Sequence, residues 1–226
     1  MIQVIKASGQ LEALSLDKVR VSLTRAGAYP EIIDKILLDL KPKLYDQIST
    51  REIYSQVYAL FHRYQKDQSL HYSLKPALMQ LGPSGYPFEK FIAQLFTAMG
   101  YQTQTQQIIQ GKCVNHEVDV VAQKDNQKIL IECKFHNRPG TKTEIKDALY
   151  TQARFEDINE VGSNKYTQIW LVTNTKLTTQ AIQYGRCQNM GLLAWRYPEN
   201  EGIEKLIDKF NLYHLLKLGY SEQWKG

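Results

Sequence analysis

Two β-like runs that each carry charged residues constrain this chain more than any other feature. Residues 116–121 read HEVDVV and residues 129–134 read ILIECK. Side chains alternate between the two faces of a strand, so Glu132 and Lys134 share one face. A charge at the edge of a core is costly unless it is paired or bound to a metal. If the two runs pair as antiparallel strands through the short turn between them, Asp119 comes close to Glu132.

This arrangement predicts the hydrolysis of a phosphodiester with the help of a metal ion. Two carboxylates, Asp119 and Glu132, are the oxygen ligands that Mg²⁺ prefers, and Mn²⁺ is the alternative ion. Such an ion polarises a phosphate and lowers the pKa of a bound water. Lys134 would then either orient that water or stabilise the developing negative charge, and the sequence leaves both roles open. The alternative is that Glu132 and Lys134 form a surface ion pair at a strand end.

The pattern around these runs predicts an α/β fold. A helix with a proline in its first turn and a glycine after its end comes first, three β-like runs follow, and a helix, a strand and a further helix and strand complete the order. The predicted helix–three strands–helix–strand core covers residues 88–99, 101–109, 114–122, 128–135, 143–157 and 166–173.

At these residues the chain resembles the restriction-endonuclease-like superfamily, whose signature is an acidic residue followed by Glu-x-Lys. It looks closest to the Mrr-like branch and to archaeal-type Holliday-junction resolvases. The resemblance covers roughly residues 86–195 and implies an αβββαβ core around a central mixed sheet, with DNA as the substrate. It also implies that Glu89 on the first helix assists the metal and that Gln152 on the later helix takes part in catalysis. Val118 stands where many members have a proline.

Basic and imidazole side chains near the two runs are candidate DNA contacts. A turn-containing stretch after Lys134 carries cationic groups that would grip phosphates beside a metal. The alternatives are a solvated loop and, for each histidine, an ordinary hydrogen-bonding role. The candidates are His116, His136, Arg138 and Lys142.

A segment rich in glycine and proline divides the chain. Residues 81–87 read LGPSGYP and will not continue a helix. We therefore expect a first domain over residues 1–82, a nuclease domain over residues 86–200 and a helical extension over residues 201–226. The first domain is predicted to be mostly helical after a small β-hairpin. We expect three helices, over about residues 16–26, 30–41 and 50–61, and a short fourth helix from about Ser73 to Met79.

The first domain resembles the ATP-cone, a nucleotide-sensing module, over about residues 2–80. The cone's opening reads Val-x-Lys-Arg-x-Gly, and here Lys6 and Gly9 match it while Ala7 replaces the arginine. Lys18 on the first helix also matches. The resemblance implies that Lys6, Gly9 and Lys18 contact ATP or dATP, although the loss of the arginine removes a bidentate phosphate donor. The alternative is a dimerisation or DNA-positioning domain with ordinary surface lysines.

Composition limits the remaining classes. Apolar residues make up 43% of the chain, close to the roughly 45–50% of ordinary globular proteins, so each domain can bury a core. No run approaches the roughly 20 apolar residues of a membrane span, and no secretory signal opens the chain. Three widely spaced cysteines suit a reducing cytoplasm. A net charge of +5 is compatible with nucleic acid.

These observations predict a cytoplasmic Mg²⁺-dependent DNA endonuclease that acts as a homodimer, with adenine nucleotide on the first domain as a regulator. Two other readings stay open. One is a nuclease fold that holds DNA without cutting it. The other is a nucleotide-responsive regulator whose second half contacts a partner protein.

Overall fold

A computed structural model describes residues 2–6, 8–161 and 165–216. The chain divides into two units, and the division falls between Ala77 and Leu78. No helix in the described part is long and apolar enough to cross a membrane. Each unit is built around its own buried residues and is described separately below.

The first unit combines a small sheet with helices. Strand β1 (Gln3–Ile5) pairs antiparallel with β2 (Leu11–Ala13). Ser15 caps α1 (Leu16–Arg25), because its side chain accepts a hydrogen bond from the amide of Lys18. The unit continues with α2 (Pro30–Leu40), a short 3-10 helix (Lys41–Lys43), β3 (Ile48–Ser49), which lies parallel to β1, and α3 (Thr50–Tyr64).

The core of the first unit is aliphatic and lies between the small sheet and the helices. Leu23, Ile36, Leu40, Val57 and Phe61 are all fully buried there. They come from α1, α2 and α3 at the helical spacing that the sequence predicts. The predicted hairpin and the three predicted helices are therefore confirmed.

The last helix of this region is longer than the sequence predicts. We expected a short helix from Ser73 to Met79, but α4 spans Lys66–Met79. Its first turn is polar and lacks an apolar stripe, and it is fixed by Ser69, whose buried hydroxyl bonds to the Lys66 carbonyl at 2.6 Å and to His62 Nδ1 at 2.9 Å. Such tertiary contacts override weak local patterns.

The second unit begins with the end of α4 and contains the larger sheet. Asn174 Nδ2 donates to the sulfur of Met79 at 3.2 Å, which ties the last turn of α4 to this unit. Residues 81–85 of the Gly/Pro segment form turns and bends, as expected, and its last two residues, Tyr86 and Pro87, begin the next helix. The elements of the second unit are α5 (Tyr86–Ala98), β4 (Gln102–Gln110), β5 (Asn115–Lys124), β6 (Gln127–Lys134), β7 (Lys142–Thr143), α6 (Ile145–Asn159), β8 (Gln168–Thr173), β9 (Lys176–Leu177), α7 (Thr179–Cys187) and β10 (Gly191–Leu193).

The five main strands form a mixed sheet in the order β10-β8-β6-β5-β4. Strand β5 pairs antiparallel with both β4 and β6, whereas β6, β8 and β10 run parallel to one another. Phe88 and Phe96 of α5 are fully buried, and Phe96 packs edge-on against Trp170 of β8. A second cluster joins the sheet to α6 and α7 through Ala148, Ile158 and Ala181. The central mixed α/β sheet of the prediction is confirmed.

Residues after the sheet form a short helical tail. Helix α8 (Ile203–Lys209) and a 3-10 helix (Leu212–Leu215) follow β10, and Ile203 and Ile207 are fully buried. Residues 203–209 and 212–215 of the predicted helical extension are helical, and residues 217–226 lie outside the described residues.

Candidate active site

The β5–β6 ladder ends where the two predicted carboxylates meet. Val120 pairs with Ile131, so Asp119 and Glu132 are the next residues across the two strands. Instead of a backbone pair, the amide of Cys133 donates to Asp119 Oδ2 at 2.6 Å. The side chain of Asp119 thus closes the ladder and is drawn towards β6.

The regular alternation of side chains breaks at Asp119. Val118 and Val121 are three residues apart and yet pack into the same cluster under α6 and α7. In a regular strand, residues at that spacing point to opposite faces. Gln106, which faces Asp119 from β4, has a left-handed φ of 53°, a strained conformation for a residue inside a strand. This distortion releases Asp119 from the regular ladder.

Glu132 is buried, with 4% of its surface exposed, and it is paired with two cations. Lys134 Nζ donates to its Oε1 at 2.7 Å, which confirms that these two side chains share a face. Arg154 Nη1 donates to its Oε2. Arg154 Nη2 also donates to the hydroxyl of Tyr150 at 2.8 Å, and Tyr150 lies one turn earlier on α6. Arg154 and Tyr150 were not predicted as site residues, and their spacing of four residues on one helix is the signal that could have indicated them.

The electrostatics of the site reflect crowded negative charge. Burial and the neighbouring Glu132 carboxylate raise the pKa of Asp119 to about 7, although the Cys133 amide opposes the shift. Burial also raises the pKa of Glu89, and the charges of Glu117 and Glu132 add to this effect. Burial alone would lower the pKa of Lys134, but the charge and hydrogen bond of Glu132 outweigh it and raise that pKa. A cation at this point would relieve the repulsion between the carboxylates.

Glu89, the third acidic residue predicted to assist the metal, lies near Asp119 and Glu132 but does not form one cluster with them. Glu89 lies on α5 and is half-buried, and its charge contributes to the raised pKa of Asp119. In residues 2–6, 8–161 and 165–216, no three His, Cys, Asp or Glu side chains are gathered closely enough to hold a metal ion. The site therefore presents a pair of carboxylates, with Glu89 as an acidic neighbour.

Gln152 is placed differently from the other predicted site residues. Its Nε2 donates to Glu156 at 2.9 Å, along the same helix. Its buried Oε1 has no hydrogen-bond partner in the described part of the chain. Arg154, two residues further on, points from another side of α6 and makes the contact with Glu132.

The loop after Lys134 is fixed by a buried polar network. The amide of His136 donates to Asn174 Oδ1 at 2.8 Å, and Asn174 Nδ2 donates back to the His136 carbonyl at 2.9 Å. His136 Nε2 also bonds to the hydroxyl of Thr143 at 2.9 Å. Asn174 and Thr143 are fully buried, so this network fixes the chain as it leaves the site. The candidate DNA contacts Arg138 and Lys142 are exposed beyond it.

His116 takes part in a separate polar cluster. Its Nε2 bonds to Asp157 Oδ2 at 2.7 Å, and Asp157 also accepts the amide of Cys113 at 2.9 Å. These contacts join the β4–β5 turn to the end of α6. The bond to His116 is the largest cause that lowers the pKa of Asp157, to about 2. His116 is therefore paired with Asp157 and has no described contact with Asp119 or Glu132.

In the first unit, two of the predicted nucleotide contacts, Lys6 and Lys18, line one cavity of about 280 Å³, whereas Gly9 does not line it. Lys6 and Lys18 both pair with Glu12 at its edge. Gly9 forms the hairpin turn with a left-handed φ of 81°, which favours glycine. The cavity is also lined by Tyr54 and Tyr72, whose rings stack with their centres 4.9 Å apart.

Comparison with known proteins places the second unit in a family. Residues 82–196, about half of the chain, match the Mrr catalytic-domain family, which is described as a restriction endonuclease. An uncharacterised protein of Archaeoglobus fulgidus is 46% identical over 122 residues, which are 54% of this chain and 68% of that protein. The chain belongs to this restriction endonuclease family.

Two solved structures are similar to parts of the chain. A protein of unknown function, AF1548, is 43% identical, and the aligned part covers 57% of this chain and 67% of that chain at a TM-score of 0.53. The protein VC1899 from Vibrio cholerae is 16% identical over 67% of this chain and 37% of its own, at a TM-score of 0.35, which is too low for a comparison of folds.

Proposed function

We propose that this protein is a DNA endonuclease that uses a divalent cation, Mg²⁺ or Mn²⁺, bound by Asp119 and Glu132. The observation that carries the proposal is the meeting of these two carboxylates at the end of the β5–β6 ladder, beside Lys134. The family of the second unit supports the same activity.

The residues present fit such a cation. The raised pKa of Asp119, caused by burial and by Glu132, marks a place where a positive charge would be bound favourably. Carboxylate oxygens are the ligands that hard divalent cations prefer. When bound, the ion supplies Lewis-acid polarisation of the phosphate and a water of lowered pKa.

The chain's own residues would orient the substrate and stabilise charge. Lys134 is half-buried and, since its pKa is raised, fully protonated at neutral pH, so it can donate to the oxygens on which negative charge develops. The hydrogen bond from the Cys133 amide fixes Oδ2 of Asp119, and Oδ1 would be the oxygen that binds a cation. The exposed Arg138 and Lys142 would contact phosphates beyond the scissile bond.

A cleavage assay tests this function. Supercoiled plasmid and a four-way junction are incubated with the full chain in Mg²⁺ or in EDTA, as wild type and as Glu132→Gln. We expect the wild type to nick DNA in Mg²⁺ and not in EDTA. Glu160→Gln is the matched control, because Glu160 pairs with Lys112 at an exposed position. This variant should cut DNA like the wild type.

Two outcomes would contradict the proposal. Cleavage by Glu132→Gln at the wild-type rate would separate the activity from this site. Tight DNA binding by the wild type without cleavage in Mg²⁺ or Mn²⁺ would favour the alternative of a non-cleaving DNA-binding protein.

We also propose that the cavity of the first unit binds an adenine nucleotide that regulates the nuclease. Lys6 and Lys18 would hold phosphates after leaving Glu12, and the stacked Tyr54 and Tyr72 offer apolar surface for a base. The similarity to an ATP-cone supports this assignment. Homodimer formation, which the sequence also predicts, would be one route by which a nucleotide alters activity.

Calorimetry on the full chain tests the nucleotide site. ATP, dATP and GTP are titrated into wild type and into Lys6→Ala. We expect adenine nucleotides to bind the wild type and to lose affinity in the variant. No heat with any nucleotide at millimolar concentration would contradict the proposal.

A further inference from the structure

Both oxygens of the Glu132 carboxylate are occupied by cationic side chains. Lys134 donates to Oε1 at 2.7 Å, and Arg154 donates to Oε2. Glu132 is 4% exposed, so these contacts compensate a charge that burial would otherwise make costly. The positive charge of the guanidinium opposes the binding of a divalent cation to the same carboxylate.

Arg154 is held in a way that suits a change of partner. Its side chain is 10% exposed and stacks on the ring of Tyr150, whose centre lies 4.8 Å from the guanidinium carbon. Its Nη2 is anchored on the Tyr150 hydroxyl at 2.8 Å. Its Nε is buried and has no hydrogen-bond partner among the described residues. The guanidinium therefore keeps an unused donor for which Glu132 offers no acceptor.

Tyr150 and Lys134 lie beside Arg154 and would form a surface for DNA together with it. Tyr150 is 54% exposed, and its ring centre lies 5.7 Å from Lys134 Nζ. A phosphate close to Lys134 would thus come near Arg154 as well. Arginine binds phosphate through two adjacent donors, and these would be either a freed Nη1 with Nη2 or Nε with Nη2.

We infer that Arg154 is an internal competitor of the divalent cation for Glu132, and that its displacement transfers the guanidinium to a DNA phosphate. This inference rests on the proposed function. It makes cation binding and DNA binding depend on each other, because each favours the state in which Arg154 has left Glu132.

Calorimetry with Mn²⁺ at pH 8, on the full chain without DNA, tests the competition. In Arg154→Gln a neutral donor replaces the guanidinium, so we expect Mn²⁺ to bind about tenfold more tightly than in the wild type, a coupling of ordinary size. Arg154→Lys keeps the charge and should bind within about twofold of the wild type on the same reasoning. Arg186→Gln is the matched control for net charge, because Arg186 also stacks on a tyrosine, Tyr197. This substitution should not change the affinity for Mn²⁺.

Fluorescence anisotropy with a labelled duplex tests the transfer to DNA. Ca²⁺ replaces Mg²⁺ so that cleavage does not intervene. We expect Ca²⁺ to raise the DNA affinity of the wild type by a larger factor than that of Arg154→Gln, in which only the direct contact between the ion and a phosphate remains.

The outcomes separate this inference from the proposed function. Equal or weaker Mn²⁺ binding by a folded Arg154→Gln, together with loss of binding in Asp119→Asn, would overturn the inference and leave the shared cation site intact. Absence of Mn²⁺ binding by the wild type itself would remove both. Equal enhancement of DNA binding by Ca²⁺ in wild type and Arg154→Gln would also overturn the transfer.

Discussion

The backbone amide of Cys133 donates a hydrogen bond to the carboxylate of Asp119 across 2.6 Å, at the point where the β5–β6 ladder ends. A structural bond and a proposed ligand role thus coincide in one side chain. The strand distortion at Asp119, with Gln106 in a left-handed conformation opposite, makes this possible. Strain of this kind is often found at functional sites.

The raised pKa of Asp119 predicts a pH dependence of stability. Its folded pKa is about 7, against an ordinary value of 3.8, because burial and Glu132 disfavour its charge. Between these values the folded protein keeps a proton that the unfolded chain releases, so stability falls as pH rises towards and through 7. In EDTA, Asp119→Asn should therefore gain in Tm relative to the wild type from pH 5 to pH 8.

Thermal melts monitored by circular dichroism at several pH values provide this measurement. Asp125→Asn is the control, because Asp125 is exposed in the turn between β5 and β6 and asparagine tolerates its left-handed φ of 50°. A constant difference in Tm between Asp119→Asn and wild type at every pH would show that Asp119 does not titrate as stated.

Removal of Lys134 should separate chemistry from cation binding. If Lys134 stabilises developing charge, Lys134→Met should lower the single-turnover cleavage rate by about 10²–10³-fold. The variant should still bind Mn²⁺, because Asp119 and Glu132 remain. Rapid-quench assays on labelled DNA give the rate, and calorimetry gives the affinity.

Lys112→Met is the matched control for Lys134→Met. Lys112 is an exposed lysine that pairs with Glu160, so its loss should leave both the rate and the affinity unchanged. A Lys134→Met variant that cuts at the wild-type rate would exclude the proposed role of this amine.

How much of this site the sequence predicts depends on the range of the interactions. The pairing of Glu132 with Lys134 follows from strand alternation, which is local, and the structure confirms that contact. The approach of Asp119 follows from the antiparallel pairing of β5 and β6, which the short turn between the two runs made predictable. These features need only residues that are close in the sequence.

The contacts that were missed depend on how helices dock on the sheet. Arg154 meets Glu132 because α6 packs across the sheet, and no local pattern fixes the rotation of that helix. Gln152 was implied by the family resemblance; its amide donates to Glu156, and its catalytic role stays a prediction. The buried network around Asn174 also joins loops far apart in sequence.

Gly191 in β10, at one edge of the sheet, offers a test of how this strand packs against Trp170. Gly191 in β10 pairs with Trp170 in β8, and a Cβ at Gly191 would overlap the indole ring. Gly191→Ala should therefore lower the free energy of unfolding by about 1–3 kcal/mol, the usual cost of overpacking. Urea denaturation at equilibrium measures the change.

Gly85→Ala serves as the control for this substitution. A Cβ at Gly85 would meet only the flexible end of Glu89, at 3.1 Å, so the change should stay within about 0.5 kcal/mol. Equal stability of Gly191→Ala and wild type would contradict the packing described for Trp170.

The cluster at the β4–β5 turn predicts the reactivity of a thiol. A hydrogen bond with Asp157, and then its negative charge, raise the pKa of the exposed Cys113. Asp157→Asn should lower that pKa, increase the thiolate fraction and speed alkylation of Cys113 by iodoacetamide at pH 8. Mass spectrometry of the peptide gives the rate, with the exposed Cys187 as an internal reference. A rate that did not change relative to Cys187 would contradict this contact.

The proposed nuclease function depends most on one divalent ion being shared by Asp119 and Glu132. Crystals soaked in Mn²⁺ and measured at the manganese absorption edge test this directly. The account predicts a single anomalous peak within roughly 2–2.5 Å of a carboxylate oxygen of each residue. A peak that touches only one of them, or no peak at this end of the β5–β6 ladder, would contradict it.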